Sequence, residues 1–314
     1  MKTVVLYGEK MNYDKLLDFS ILSEEVDVYD DADEAKLLER IRGADVLITK
    51  ENPVTAEMLE QFPDSLKLII EAGTGYNNID TAAARKKGIT VCNVPAYSSE
   101  SVREMAILFI LMLSSSMHKQ VIMLNNGDKS NFSRYLSVPH NEVYRKTLGI
   151  IGEGRIGSIA IDSALHLGMN VLVYSRTVKP DREGVRHVSL DELLKESDYI
   201  SLHCPLTPQT NHIIDEDALK KMKKTAFLVN TSRGPLIDEK ALIRALQEKT
   251  IAGAALDVQE VEPLSEDSPL FELDNVILTP HIGWKALETR KRMVSIVRDN
   301  IEAFRKGEPI NVVN

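Results

Sequence analysis

The chain has 314 residues, about twice the length of a typical domain, so two domains of similar size are expected. With 43% hydrophobic and 27% charged residues, its composition is that of an ordinary globular protein. Acidic residues outnumber basic ones by 47 to 38, a formal net charge of −9. This excess argues against non-specific binding to nucleic acid or to an anionic membrane, and an anionic ligand would need a local group of basic side chains.

The two cysteines, Cys92 and Cys204, lie far apart in the sequence and show no CxxC or Cys/His spacing. This pattern argues against a disulfide framework or a zinc site, and it suits a reducing cytoplasm. The apolar run at 3–7 is too short for a signal peptide. The longest apolar run, 105–113, has nine residues, whereas about 20 are needed to span a bilayer. We expect a cytoplasmic protein with no metal site and no membrane partner.

Predicted strands and helices alternate along most of the chain, which indicates parallel α/β layers. The predicted strands are 3–7, 26–29, 44–49, 66–70, 147–152, 169–174, 199–203, 226–230 and 252–258. The predicted helices are 13–19, 32–41, 55–61, 190–196 and 285–306, with a long helix from about Glu100. The polar segment 125–141 predicts an arm or connector. Two series of strands indicate two α/β units that meet near Glu100.

Residues 152–157 read GEGRIG, a GxGxxG motif that follows a predicted strand and opens a predicted helix. Gly152 would allow the tight turn, Gly154 would let a pyrophosphate approach the backbone, and Gly157 would let helix and strand pack closely. The helix N-terminus would present free N–H groups to the phosphates. A glycine loop can also be a plain turn, but this context favours dinucleotide binding.

The position that recognises the adenosine ribose lies about 20 residues further on, where NAD-binding proteins usually have an acidic residue. Here the strand is followed by Ser175, Arg176 and Thr177, without a carboxylate. Two hydroxyls and a guanidinium suit a 2′-phosphate, so NADP(H) is favoured. The alternative is that NAD(H) binds and that Arg176 lies over the adenine ring.

Three later stretches place polar side chains after predicted strands. Arg233 lies in VNTSRGPLID, Asp257 and Glu262 lie in ALDVQEVEP, and His281 lies in LTPHIGW. Ligands of open α/β sheets bind outside the carboxyl ends of the strands, so these side chains could converge. A cation, a carboxylate and an imidazole suit hydride transfer at a hydroxyl carbon. Taken singly, each could instead be a surface cation, a turn residue or a core histidine.

In combination, these motifs strongly resemble the D-isomer-specific 2-hydroxyacid dehydrogenase family, in particular its glyoxylate/hydroxypyruvate reductase-like members. The segments EAGTGYNNID (71–80) and VCNVP (91–95) resemble the family's substrate loop and inter-domain segment. The likeness runs in order from about residue 44 to 314. Residues 1–43 and 125–141 carry little family signal.

The resemblance implies two doubly wound parallel sheets with an active-site cleft between two Rossmann-like domains. Residues 1–98 and 286–314 would form a flavodoxin-like substrate-binding domain, and residues 99–285 the dinucleotide-binding Rossmann domain. The family commonly dimerises through the cofactor domain. The apolar helix 105–113 and the arm 125–141 would suit such a homodimer.

The implied reaction is the interconversion of a small 2-oxoacid and a D-2-hydroxyacid by an NAD(P)-dependent oxidoreductase. Arg233 would hold the carboxylate and carbonyl oxygen of the substrate and polarise the carbonyl. His281 would be the acid/base, and Glu262 would hydrogen-bond to it. Thr74 and Gly75 would offer backbone N–H groups to the substrate carboxylate.

The resemblance also assigns residues to the rest of the site. Tyr76 and Trp284 would border the substrate pocket. Besides the three motif glycines and the 175–177 triplet, further residues are implied at the cofactor. They are Arg155 and Ile156 at the pyrophosphate, Cys204 and Pro205 beside the cofactor, Thr210 near its phosphates, and Asp257, which would help to bind the nicotinamide.

Two rival interpretations remain. Formate dehydrogenases are similar but lack a glutamate equivalent to Glu262, so its presence counts against them. Corepressors that resemble this family sense a dinucleotide and act as binding scaffolds. The chain ends shortly after Pro309 and Ile310 with no added tail, which favours an enzyme over such a scaffold.

Overall fold

The computed structural model describes residues 1–31, 33–133, 135–177 and 179–314. Ala32, in the predicted helix 32–41, and Arg134, in the predicted arm, lie outside the described residues. The elements of the first half of the chain are β1 (Lys2–Val5), α1 (Gly8–Met11), β2 (Glu25–Val28), α2 (Glu34–Arg40), β3 (Val46–Thr49), α3 (Ala56–Gln61), β4 (Leu68–Glu71), α4 (Thr81–Lys86), β5 (Thr90–Cys92), α5 (Ser99–Ser114), α6 (Met117–Asn125) and α7 (Ser130–Ser133). The elements of the second half are β6 (Thr147–Ile151), α8 (Arg155–His166), β7 (Asn170–Tyr174), β8 (Val185–His187), α9 (Leu190–Glu196), β9 (Tyr199–Leu202), α10 (Glu216–Lys221), β10 (Phe227–Asn230), α11 (Glu239–Gln247), β11 (Gly253–Leu256), β12 (Val276–Leu278) and α12 (Leu287–Arg305).

The chain divides into two compact units, residues 1–98 with 284–314, and residues 99–283. The first unit includes Trp284, which lies two residues before the predicted start of its C-terminal segment at residue 286. The physical reason is packing, because the buried indole lies in the same apolar cluster as Met293 and Val297 of α12. The predicted substrate-binding and dinucleotide-binding roles of the two domains stay predictions.

The first unit contains a five-stranded sheet in the order β2-β1-β3-β4-β5, with every strand pair parallel. The predicted helix at 13–19 is wrong. Asn12 Nδ2 donates to the Leu17 carbonyl oxygen at 3.0 Å, and the Leu17 N–H donates to Asn12 Oδ1 at 2.8 Å. These two bonds close a loop over residues 12–17, and Lys15 has a left-handed φ of 58°, so the backbone cannot continue as a helix.

The second unit contains a seven-stranded parallel sheet in the order β12-β11-β10-β9-β6-β7-β8. The strand order reverses between β6 and β9, which is the topological switch point where open α/β sheets bind ligands. The GEGRIG loop follows β6 directly. The predicted α/β class with two doubly wound parallel sheets is confirmed.

The apolar run 105–113 lies inside α5, and its inward side chains, among them Phe109 and Ile110, are buried in the core of the second unit. Within the described ranges, no single helix is long and apolar enough to cross a membrane. The pair α5 and α6 meets that length and composition only jointly, and it is bent by 68°.

Candidate active site

The GEGRIG loop has no room for side chains at two of its glycines. Gly152 has a φ of 102°, and a Cβ there would lie 2.5 Å from the Cys204 backbone nitrogen. A Cβ on Gly157 would lie 2.1 Å from the Gly152 carbonyl oxygen. At Gly154, at the N-terminus of α8, no atom of the described residues outside this helix turn lies within 4 Å of a Cβ position, and no described side chain caps the helix. The loop is therefore tightly packed at Gly152 and Gly157 but open at Gly154. A pyrophosphate could approach the N–H groups of the α8 N-terminus at this open position.

The loop after β7 carries the predicted ribose triplet. Ser175 Oγ donates to the Thr177 carbonyl oxygen at 2.5 Å, which fixes the turn. Arg176 is exposed, and its guanidinium pairs with no carboxylate of the described residues. The guanidinium therefore stays available to an anion. Val178, which follows, lies outside the described residues.

Glu153, inside the GEGRIG motif, was not singled out from the sequence. Its side chain is 7% exposed, Oε2 lies 2.9 Å from His187 Nε2, and Oε1 lies 3.1 Å from Lys179 Nζ. Burial alone would raise the pKa of Glu153, but the hydrogen bonds from His187 and Lys179 outweigh it and lower the pKa. A charged residue within a phosphate-binding motif was the available sequence signal.

The segment after β9 passes beside the glycine loop. Burial lowers the pKa of His203 to about 4, so this imidazole is neutral, and its Nε2 lies 2.9 Å from Ser201 Oγ. Burial raises the pKa of the Cys204 thiol to about 11. Thr210 Oγ1 donates to the Pro205 carbonyl oxygen at 2.7 Å. These bonds fix the segment beside Gly152, while the predicted cofactor contacts of Cys204, Pro205 and Thr210 stay predictions.

Arg233 lies on the loop that follows β10. Asn230 Nδ2 donates to its carbonyl oxygen at 2.8 Å, and the Arg233 guanidinium donates to the Ser232 carbonyl oxygen at 2.7 Å. A Cβ on the next residue, Gly234, would lie 1.8 Å from the Gln259 carbonyl oxygen. Only glycine fits there, because the loop after β10 packs directly on the loop after β11. No carboxylate in the described part of the chain pairs with Arg233.

Glu262 and His281 form a hydrogen-bonded pair. Glu262 Oε2 lies 2.8 Å from His281 Nδ1, and Glu262 Oε1 accepts from the Gln259 N–H at 3.2 Å. His281 has a φ of 51°, and its N–H donates to the Asp257 carbonyl oxygen at 2.8 Å. With Nδ1 bound to the carboxylate, Nε2 is the imidazole nitrogen left for proton exchange. The contact of Gly234 with Gln259 brings the Arg233 loop beside this pair.

Asp257 organises the loop that carries His281. Its Oδ1 accepts from Thr279 Oγ1 at 2.5 Å and from the Ile282 N–H at 2.8 Å. Its Oδ2 accepts from the Gly283 N–H at 2.8 Å. Burial raises the pKa of Asp257, although these hydrogen bonds oppose the rise. Both oxygens therefore hold the 279–283 loop, and the predicted role of Asp257 at the nicotinamide stays a prediction.

The predicted substrate loop belongs to the first unit. Thr74 Oγ1 donates to the Val94 carbonyl oxygen at 3.0 Å, and Asn93 Nδ2 donates to the Thr74 carbonyl oxygen at 2.8 Å. Gly75 is half-buried, and Tyr76 is 39% exposed. These bonds pin the loop to the segment after β5. The binding roles of Thr74, Gly75 and Tyr76 stay predictions.

Trp284 lies over a buried lysine that the sequence did not single out. The indole is 4% exposed, and Lys50 Nζ lies 4.1 Å from its centroid. Lys50 Nζ also donates to the Tyr97 hydroxyl at 3.3 Å and lies 3.2 Å from Glu51 Oε1. Burial lowers the pKa of Lys50, but the neighbouring Tyr97, Glu51 and Glu71 outweigh it and raise the pKa. Trp284 thus helps to enclose a charged side chain, and its place at the pocket stays a prediction.

Glu71, at the end of β4, supports the base of the substrate loop. Its Oε1 accepts from the Glu51 N–H at 3.1 Å, and its Oε2 accepts from Asn78 Nδ2 at 2.9 Å. A Cβ on Gly73 would lie 3.0 Å from Lys50 Nζ and 3.1 Å from Glu71 Oε1. Burial raises the pKa of Glu71 to about 7, although Lys50 opposes the rise. The loop that carries Thr74 and Gly75 is therefore built on a buried titratable group.

Over the ranges that the structure describes, no group of three or more His, Cys, Asp or Glu side chains could hold a metal ion. The chemically useful groups of this site are the guanidinium of Arg233 and the hydrogen-bonded Glu262–His281 pair. A guanidinium can bind and polarise a carboxylate and a carbonyl together, and an imidazole can exchange a proton.

Residues 107–283 match the family model described as "D-isomer specific 2-hydroxyacid dehydrogenase, NAD binding domain". A curated relative, hydroxypyruvate reductase of Blautia hydrogenotrophica, is 40% identical over 323 aligned residues that cover 100% of each chain.

Two solved structures with bound nucleotide are also similar. D-lactate dehydrogenase of Aquifex aeolicus, complexed with NAD and lactic acid, is 33% identical with a TM-score of 0.85, over 98% of this chain and 96% of that chain. The acyclic imino acid reductase Bsp5, in complex with NADPH and D-Arg, is 29% identical with a TM-score of 0.83, over 99% and 100%.

Proposed function

The chain belongs to the D-isomer-specific 2-hydroxyacid dehydrogenase family, and we propose that it reduces small 2-oxoacids to D-2-hydroxyacids with a preference for NADP(H). It is an oxidoreductase that uses a nicotinamide dinucleotide. The observation that carries the proposal is the 2.8 Å contact between Glu262 and His281. Beside this pair lies the loop of Arg233, whose guanidinium pairs with no carboxylate of the described residues.

Arg233 is the proposed substrate anchor. Its fork of N–H donors can bind a carboxylate and a neighbouring carbonyl oxygen together, which a lysine ammonium does less well. Negative charge builds up on the carbonyl oxygen during reduction. A guanidinium that already lies there stabilises this charge without reorganising.

His281 is the proposed proton donor in reduction. Glu262 accepts from Nδ1, so it fixes the orientation of the ring and leaves Nε2 to deliver the proton to the carbonyl oxygen. In oxidation the neutral ring takes the proton back. A nicotinamide dinucleotide held by the glycine loop after β6 would supply or accept the hydride.

The NADP(H) preference rests on the loop after β7. An aspartate there would accept hydrogen bonds from the 2′-hydroxyl and repel a 2′-phosphate. This chain has instead an exposed guanidinium at Arg176 that no described carboxylate neutralises. The residues proposed at the pyrophosphate are Gly152, Gly154, Arg155, Ile156 and Gly157.

We expect a substrate with a short side chain. Tyr76 and Trp284 are the bulky aromatics proposed at its border, and the relative from Blautia hydrogenotrophica is named for hydroxypyruvate. Hydroxypyruvate and glyoxylate are therefore the first candidates, with Thr74 and Gly75 as proposed N–H donors to the carboxylate.

We also propose a homodimer. Helices α5 and α6 expose several large apolar side chains that lie close together in the sequence. Isolated exposed apolar residues are common on protein surfaces, but a group of them is typical of an interaction surface. These apolar side chains are Leu108, Leu111, Met117, Val121, Ile122 and Leu124. Phe132 adds a further exposed ring in the following segment. A second copy of the chain would remove this surface from water.

A panel of 2-oxoacids, tested separately with NADPH and NADH, examines the proposed reaction. We expect turnover of hydroxypyruvate or glyoxylate, with a higher kcat/KM for NADPH. Nucleotide binding without turnover of any 2-oxoacid would favour a dinucleotide-sensing scaffold. Oxidation of formate as the main activity would favour the formate dehydrogenase alternative.

A further inference from the structure

The ribose end of the dinucleotide site contains a carboxylate that does not come from the usual position. Glu153 belongs to the glycine loop after β6, yet it contacts Lys179 after β7 and His187 at the end of β8. Its carboxylate therefore lies at the carboxyl ends of three adjacent strands. This is the edge at which the adenosine ribose of a dinucleotide is recognised in this fold.

Glu153 and Lys179 differ in exposure. Glu153 is 7% exposed and is held by both Lys179 and His187, whereas the side chain of Lys179 is 49% exposed. His187 Nδ1 lies 3.6 Å from Asp181 Oδ1. An ammonium has three N–H donors. Lys179 can therefore keep its bond to Glu153 and still turn other donors toward a ligand.

The charges of Glu153 and Lys179 determine how this pair affects the binding of a nucleotide. Arg176 and Lys179 are cations on the same short segment, so both attract a dianionic 2′-phosphate. The carboxylate of Glu153 neutralises part of the charge of Lys179 and itself repels the phosphate. A ribose with a free 2′-hydroxyl carries no charge at that position, so the affinity for NAD(H) depends much less on the charges of Glu153 and Lys179.

We propose that Lys179 is a second cation for the 2′-phosphate of NADP(H) and that Glu153, by pairing with Lys179, limits how strongly the site prefers NADP(H) over NAD(H). This rests on the proposed use of NADP(H). Under the proposal Glu153 acts through Lys179 and lowers the preference for NADP(H) over NAD(H). Without Glu153, the cations of this segment would give a stronger preference for NADP(H).

The test compares two fragments by calorimetry on the full chain: adenosine 2′,5′-bisphosphate, and adenosine 5′-monophosphate, which lacks the 2′-phosphate. Glu153→Gln should tighten the bisphosphate Kd by about three- to tenfold and leave that of the monophosphate within about twofold. Lys179→Gln should weaken the bisphosphate by a similar factor, and Lys179→Arg should retain its affinity. High salt should reduce these differences.

Glu248→Gln, at the end of α11, is the matched control, because it changes the net charge equally and should leave both Kd values unaltered. Equal weakening of both fragments by Glu153→Gln would indicate a structural role for Glu153 and overturn the proposal. Selective weakening of the monophosphate would mean that Glu153 accepts from the ribose hydroxyl, which also overturns it. Thermal unfolding checks that each variant is folded.

The unmodified chain supplies the independent check. If it binds the two fragments equally, the proposed NADP(H) preference is wrong. The direction of the Glu153→Gln and Lys179→Gln effects on the bisphosphate still decides the role of this pair. The two proposals therefore fail separately.

Discussion

Glu262 Oε2 lies 2.8 Å from His281 Nδ1, although the two residues are 19 positions apart and follow different strands. The backbone positions both partners, since Glu262 Oε1 accepts from the Gln259 N–H and the His281 N–H donates to the Asp257 carbonyl oxygen. The pair is therefore built into the packing of two adjacent loops. Its consequence is an imidazole with one nitrogen fixed and the other left for proton exchange.

Replacement of Glu262 should impair catalysis through His281. Glu262→Ala removes the acceptor that holds Nδ1 of the imidazole, so Nε2 is no longer held in a fixed orientation for proton exchange. The kcat should fall in both directions, at most by the ~10²–10⁴ that a lost acid/base group costs, whereas the affinity for NADPH should stay unchanged. Glu262→Gln, whose amide oxygen can still accept from Nδ1, is the matched variant and should recover part of the loss. A kcat of Glu262→Ala equal to that of the unmodified enzyme would reject the pairing.

Arg233→Lys should impair catalysis even though it keeps the charge. The lysine has no planar fork, so it cannot bind carboxylate and carbonyl oxygen together. The loss of this transition-state contact should cost about 2–4 kcal/mol in kcat/KM for the 2-oxoacid. Nucleotide affinity, measured by fluorescence quenching, should stay unchanged. Near-normal turnover by Arg233→Lys would contradict the proposed role of Arg233 as the substrate anchor.

Ser175→Asp should weaken or invert the cofactor preference. The new carboxylate would repel a 2′-phosphate and could accept from a 2′-hydroxyl. The effect should fall mainly on the KM for NADPH, because loss of one charge-assisted bond costs roughly 1.5–3 kcal/mol. The measurement is kcat/KM for NADPH and NADH in both proteins, with Ser175→Ala as the uncharged control. An NADH preference in the unmodified enzyme would contradict the proposed role of the triplet.

Glu71→Gln should remove a pH dependence of stability. Burial raises the pKa of Glu71 from its usual 4.5 to about 7, so the folded state keeps a proton that the unfolded state releases. This contribution is complete below about pH 4.5 and is lost as pH rises through 7, a change of about 3 kcal/mol. Urea unfolding of both proteins from pH 5 to 8 isolates it. A constant difference between the two proteins across this range would contradict the assignment.

Val121→Lys should favour the monomer. Val121 is 48% exposed on α6 among other apolar side chains, and a second copy of the chain that covers this surface would have to bury the new ammonium without a partner. Sedimentation should show a dimer for the unmodified chain and a monomer for the variant. Lys224→Val, in the segment between α10 and β10, is a control that should leave the assembly unaltered. A dimer of undiminished stability in Val121→Lys would exclude this face.

The local sequence was sufficient to predict the parallel sheets and to place Arg233, Glu262 and His281 after strands, whereas their catalytic roles stay predictions. Buried parallel strands give continuous apolar runs, and polar residues after such strands must lie at one edge of the sheet. The apolar run 226–230, for example, predicts strand β10, and the polar residues after this run mark its carboxyl end.

Contacts between distant parts of the chain could not be predicted in this way. Lys50 and Trp284 meet only because residues 284–314 pack with residues 1–98 in the first unit. Glu153 meets Lys179 only because β6 and β7 are neighbours in the sheet. The false helix at 13–19 has a local cause, since the side chain of Asn12 bonds to the backbone of Leu17 in competition with a helix.

The most direct test of the central claim is the kcat/KM for hydroxypyruvate and glyoxylate with NADPH, measured for the unmodified chain and for His281→Ala. The account predicts that the unmodified chain reduces at least one of the two. It predicts that His281→Ala is slower by about 10²–10⁴ and still binds NADPH with unchanged affinity. Turnover of the alanine variant at the rate of the unmodified chain, or no reduction of either 2-oxoacid by a folded chain that binds NADPH, would contradict it.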